Sequence, residues 1–139
     1  MNETTSKDPV IVDVKFPIPR EEFDQLVDFF HYPDVFDTGY IGYWAFGIRI
    51  KRPDGTKQYI AYEMVDDREP TDAECQAVVR AFLDHNEVVE PAFLLNERFV
   101  REVFAAGITR YGHNFIDNQD ATMLDCAIQL AHFGELVYG

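Results

Sequence analysis

A chain of 139 residues with 25 acidic side chains against 12 Lys and Arg carries a formal net charge of −13. That balance disfavours phosphate backbones and anionic lipid, which call for a Lys/Arg footprint. At 47% hydrophobic residues the chain is expected to fold as one domain, burying roughly two-thirds of the surface it exposes when unfolded.

The first nine residues, MNETTSKDP, are polar. They lack the apolar run of a signal peptide and are expected to be a disordered N-terminus to a single domain over 10–139. No stretch approaches the ~18 apolar residues of a membrane span, and the expected location is cytoplasmic. Cys75 and Cys126 stand in helical patterns with no CxxC, as buried thiols of a reducing compartment do.

"VIVDVKF" alternates, with Val10, Val12, Val14 and Phe16 on one side, and predicts a strand over 10–16. The period then changes. Pro19 suits a first helical turn, Glu21 and Glu22 favour its positive end, and Phe23, Leu26, Val27 and Phe30 form a buried stripe. A helix over 19–31 is expected, stopping before Pro33.

"YWAFGIRIKR" and "TKQYIAYEM" flank "PDG", the pattern of a β-hairpin over 43–64. Trp44, Phe46, Ile48 and Ile50 share one face of its first strand; Ile60, Tyr62 and Met64 share one face of its second. Arg49 and Lys51 then project the other way. With Arg52 and Lys57 they make one basic patch on an acidic body.

Thr71 and Glu74 form a capping box that opens a helix over 71–86, with Cys75, Val78, Val79 and Phe82 as its stripe. A helix over 95–111 follows, with Glu97–Arg101 and Arg98–Glu102 at i,i+4 spacing and Gly112 as its stop. The last helix, 119–133, is apolar around most of its circumference, as a central helix is. Asp117 or Asn118 is its expected cap. "ELVYG" then either adds an edge strand or tucks Tyr138 against the body. The expected fold is α+β, a small antiparallel sheet covered by four helices.

Gly42 and Gly47 have GxxxxG spacing, but Ile48 and Arg49 stand where a phosphate loop needs Lys and Ser/Thr. His113, Asp117 and Asp120 lie close in sequence without the HxxxH or CxxC of a zinc site. No metal and no cofactor are expected. The best polar constellation is Asp125, Gln129 and His132, whose i, i+4, i+7 spacing lines up a carboxylate, an amide and an imidazole. Asp125 raising the pKa of His132 would arm it as an acid or base. A small hydrolase or metal-assisted enzyme, drawing also on His113 and Asp117, is therefore one alternative. A polar strip where a mostly buried helix meets water or a neighbour is the simpler account.

From Glu21 to Ile48 six acids occur without a Lys or Arg, and from Glu63 to Glu90 nine acids face two arginines. Tyr32, Tyr40 and Tyr43 beside Asp34 and Asp37 offer an aromatic–acidic fringe, with Asp66, Asp67 and Glu69 farther along. Such a surface suits an Arg-rich partner by cation–π and charge pairing. A homodimeric structural module using the tyrosine fringe is a further alternative.

The closing segment "IDNQDATMLDCAIQLAHFGELVYG" resembles that of small uncharacterised acidic proteins of phages, plasmids and bacterial mobile elements. The matching positions are Asp117, Asp120, Asp125, Gln129, Phe133, Gly134, Glu135, Tyr138 and Gly139, with "GYW" at 42–44 resembling their mid-chain pattern. The resemblance implies a mobile-element context and assigns no active site. Together these features lead to an expected function. It is a non-enzymatic acidic protein that binds the basic surface of a host nucleic-acid-handling or defence complex and inhibits it, as anti-CRISPR and other nucleic-acid-mimicking anti-defence proteins do.

Overall fold

A computed structural model describes residues 10, 15–31, 34–37 and 40–139, with Asp34 and Asp37 described at the backbone only. Helix α1 (Arg20–His31) and a single turn α2 (Asp34–Asp37) lead to the hairpin β1 (Ala45–Lys51) and β2 (Lys57–Glu63). A 3-10 turn over Val65–Asp67 connects to α3 (Asp72–His85). A short strand β3 (Ala92–Leu94) precedes α4 (Glu97–Tyr111), α5 (Asn114–Asp117) and α6 (Ala121–Phe133). The fold is α+β: a three-stranded antiparallel sheet in the order β1-β2-β3, packed by helices. No helix among the described residues is long and apolar enough to cross a membrane.

The helices form where their stripes and caps dictate. Phe23, Leu26, Val27 and Phe30 are the buried face of α1. Thr71 Oγ1 accepts from the Glu74 N–H at 3.2 Å while Glu74 Oε1 accepts from the Thr71 N–H at 3.0 Å, closing the expected capping box of α3. Asn96 caps α4. The cap of α6 is Asp120, whose Oδ1 accepts from the Met123 N–H at 2.8 Å, not Asp117 or Asn118. Asp117 instead ends the separate turn α5.

The sheet is buried on both faces. Ile48, Ile50, Ile60, Tyr62 and Ala92 pack with Phe82 of α3 on one side; Tyr59, Ala61 and Phe93 join α1, α4 and α6 in the larger core on the other. Trp44 therefore does not share a face with Phe46, Ile48 and Ile50 as its sequence parity implies. It stands in the turn before β1, where strand alternation does not apply, and is buried completely in the larger core. The sheet's third member also differs from expectation. It is β3, pairing with β2 from Ile60↔Leu94 to Tyr62↔Ala92. The strand expected over 10–16 lies largely outside the described residues, and Lys15 and Phe16 are irregular. The expectation of disorder for 1–9 also falls outside them.

Two close approaches set the spacing of elements. A Cβ on Gly107 of α4 would meet the Phe115 ring of α5 at 2.5 Å, and one on Gly47 of β1 would meet the Phe36 ring at 2.7 Å. Of the exposed pairs expected on α4, Arg98–Glu102 forms at 3.7 Å. Arg101 instead lies over the Phe23 ring, 5.8 Å from its centroid. Cys75 and Cys126 are unbridged and half-buried, less enclosed than their helical stripes imply.

Candidate functional site

The residues singled out in α6 separate into two groups. Asp125 and Gln129 are buried, Gln129 completely. Asp125 Oδ1 accepts from Trp44 Nε1 at 2.9 Å and from Gln129 Nε2 at 3.1 Å. Its Oδ2 accepts a short hydrogen bond from the Tyr43 hydroxyl. One helical turn fixes the carboxylate beside the amide, and the turn before β1 supplies the indole and phenol. A buried carboxylate met by three donors is satisfied within the fold.

Gln129 then reads the backbone of the C-terminal segment as a neighbouring strand would. Its Oε1 accepts from the Val137 and Tyr138 N–H groups at 2.9 and 2.8 Å, and its Nε2 donates to the Tyr138 carbonyl at 3.1 Å. Gly134 makes this return possible: at φ 78° it caps α6 in the left-handed region, which glycine enters without a Cβ penalty. The strap so formed lays the Tyr138 ring on Trp44, centroids 5.4 Å apart and planes 10° from parallel. The Tyr138 hydroxyl donates a short hydrogen bond to Glu63 at the end of β2. "ELVYG" thus tucks in and adds no strand.

His132 belongs to neither bond network. Its ring stacks on Phe93 at 3.8 Å between centroids. Burial pulls its pKa below the ordinary imidazole value, while the charges of Glu63 and Glu90 oppose that shift. The expectation that Asp125 raises it is thus corrected in both direction and partner: i+7 spacing aligned the two positions, but the imidazole turns towards the sheet. Of the other histidine and acids considered with them, His113 packs against Phe16 at 4.9 Å between ring centroids and Asp117 is exposed in α5. Among the described residues no three His, Cys, Asp or Glu side chains gather as a metal ion requires.

The Tyr43 hydroxyl faces inward while 41% of the residue stays exposed. Burial, and then the bond to Asp125, drive its pKa well above the usual phenol value. The Met64 N–H donates to the Trp44 carbonyl at 2.8 Å, extending the hairpin pairing one step and bringing Met64 alongside Trp44. Val65 is exposed there, and so are Leu136 and Val137 of the strap that Gln129 holds near Tyr43. Asp66 and Asp67 follow, both exposed and both left-handed, at φ 58° and 57°. Asp tolerates that region better than most residues. Their charges reach the strap. Burial, the bond to Glu63 and the field of Glu63, Asp66 and Asp67 push the Tyr138 hydroxyl up to about 12.

Of the residues expected to meet a partner, Tyr43, Asp66 and Asp67 are exposed. Glu69 is exposed and lines a separate shallow groove with Phe36 and Arg49. Tyr40 is half-buried, packing edge-on against Phe29 at 5.0 Å. Tyr32 and the side chains of Asp34 and Asp37 lie outside the described residues. Sequence reasoning missed the exposed Val65, Leu136 and Val137, and Glu63, which the strap reaches through Tyr138. Only the amide of Gln129 in an apolar helix hinted at them.

The basic patch stays at the hairpin tip. Arg49, Lys51, Arg52 and Lys57 are exposed, and the Arg52 guanidinium lies over the Phe82 ring at 5.0 Å. No protein-family model, curated protein or solved structure matches this chain.

Proposed function

We propose that this protein is a non-enzymatic binder of a basic protein surface, which it engages through the acidic and aromatic face around Tyr43 and the 65–67 turn. In the mobile-element setting its target is a host nucleic-acid-handling or defence complex. The outcome is inhibition, because acidic side chains occupy a groove whose own ligand is a phosphate backbone. One observation carries the reading: Asp66 and Asp67 follow the exposed Val65, form no ion pair among the described residues, and act by their charge on Tyr138 of the strap. The three ion pairs that do form are Arg20–Asp24, Arg68–Glu74 and Arg98–Glu102. Apart from the buried Asp125 and from Glu63, which is bonded to Tyr138, the unpaired described acids act outward, where they steer and orient a cationic partner.

The hydrolytic alternative has less to draw on. Asp125 is already met by three donors, and the ring of His132 faces Phe93.

Affinity capture from a host lysate tests the proposal when wild type is compared with Asp66→Asn/Asp67→Asn. Asn accepts the left-handed backbone as Asp does, so the variant removes charge without refolding the turn. Wild type should retain a basic protein at about 0.1 M salt and release it near 1 M, where the screening length falls from ~10 Å to ~3 Å. The captured protein should lose its DNA in competition with wild type, and the variant should capture several-fold less. Equal capture by the variant, or retention indifferent to salt, overturns the reading. Light scattering at the same concentration should give a monomer; a dimer would assign the face to a second copy.

A further inference from the structure

An apolar groove bordered by two arginines lies where the segment before α1 crosses α1 and α4. It encloses about 390 Å³. Its walls are Phe16, Ile18, Phe23 and Phe104, and the charged side chains lining it are Arg20 and Arg101. Both guanidiniums lie over the same Phe23 ring, at 5.5 and 5.8 Å from its centroid. Arg20 also meets Asp24 at 3.1 Å, in a pair whose side chains are 74% and 52% exposed. Such an exposed pair holds an arginine weakly. Arg101 has no carboxylate partner among the described residues, although Glu97 precedes it by one helical turn.

Two arginines at the mouth of an apolar groove are the reverse of the molecule's net charge. Groove size and lining are those of a small-molecule site, apolar walls with a few convergent polar groups. The planar guanidinium forks match a carboxylate in two-point geometry. We propose that this groove binds a single-chain amphipath with an anionic head, a medium-chain fatty carboxylate. Its tail lies along Phe16, Phe23 and Phe104 and its carboxylate lies between Arg20 and Arg101. The proposal is independent of the acidic face and concerns a second ligand of a different class.

Calorimetric titration of the full chain with decanoate, octanoate, decanol and decyltrimethylammonium, below their micellar concentrations, tests it. Decanoate should bind at one saturable site. It should bind more tightly than octanoate by up to about fifteenfold, since each buried methylene is worth up to about fourfold in affinity. Arg20→Gln/Arg101→Gln should weaken decanoate at least tenfold and leave decanol unchanged. Both arginines are exposed, so the variant should fold as wild type. Ala105→Phe, which places a ring in the same groove, should weaken every tail alike. Equal affinity for decyltrimethylammonium, no response to the arginine substitutions, or no saturable binding of decanoate would overturn the proposal.

Discussion

Gln129 holds three backbone groups of the strap through one amide, and it does so from a position with no exposed surface. Replacing it with Leu keeps the volume and removes every one of those bonds. Water can reach the strap once it lifts, so the cost is less than that of sealing three orphaned groups inside. We expect a loss of about 2–4 kcal/mol in chemical denaturation. A red shift of the Trp44 emission should accompany it, as Tyr138 leaves the indole. Unchanged emission would mean that the ring stack holds the strap without the amide.

His132 gives a pH dependence whose sign follows from its depressed pKa. The unfolded chain takes up a proton on this imidazole before the native one does. The contribution of His132 to stability is therefore complete above the ordinary value of ~6.5 and is lost as pH falls through it towards the native pKa. His132→Phe keeps a ring on Phe93 but cannot titrate. Between about pH 7.5 and about pH 5.5 the thermal midpoint of wild type should fall further than that of the variant. Parallel profiles would remove His132 from the pH response.

At the scale of elements, the contact of α4 with α5 depends on a residue that helix propensity alone would replace. Gly107 is buried mid-helix, and alanine there would gain about 1 kcal/mol of intrinsic propensity. The Phe115 ring occupies the space of the new methyl group, and overpacking of that kind costs about 1–3 kcal/mol. Gly107→Ala should therefore be neutral to destabilising by up to ~2 kcal/mol, read from the denaturant midpoint. A clear stabilisation would show that Phe115 moves aside freely.

The four long helices and the hairpin were legible in the chain because each carries its own local signal: the α1 stripe, the Thr71–Glu74 box, PDG between alternating runs, and an apolar α6. What was not legible depends on contacts distant in sequence. Strand β3 is three residues long, too short for a period, and exists because β2 offers it an edge. Trp44 left the hairpin face because the turn before β1 rotates it into the larger core. Helical spacing placed Asp125, Gln129 and His132 in one strip, but their partners come from residues 43–44, 93 and 137–138. Spacing within one element fixes a face; it does not say which neighbour that face meets.

Over the whole molecule, the net charge of −13 is borne by a body whose described residues form three ion pairs, so its field extends outward. Four cations gather on the hairpin and two at the groove by α1 and α4, while Arg68, which directly follows Asp66 and Asp67, is paired with Glu74. Charge of one sign beside exposed aromatic and aliphatic groups favours a partner that is both basic and apolar. Salt should lower such an affinity mainly by slowing encounter, and loss of Tyr43 should raise the rate of release.

The most direct test is a nuclear magnetic resonance titration with a short amphipathic arginine–leucine peptide at about 0.1 M and about 1 M salt. Shifts should gather on Tyr43, Val65–Asp67 and Leu136–Tyr138, with affinity falling at least tenfold at the higher salt. Shifts spread evenly over the acidic surface, or binding unchanged by salt, would contradict the acidic-face proposal.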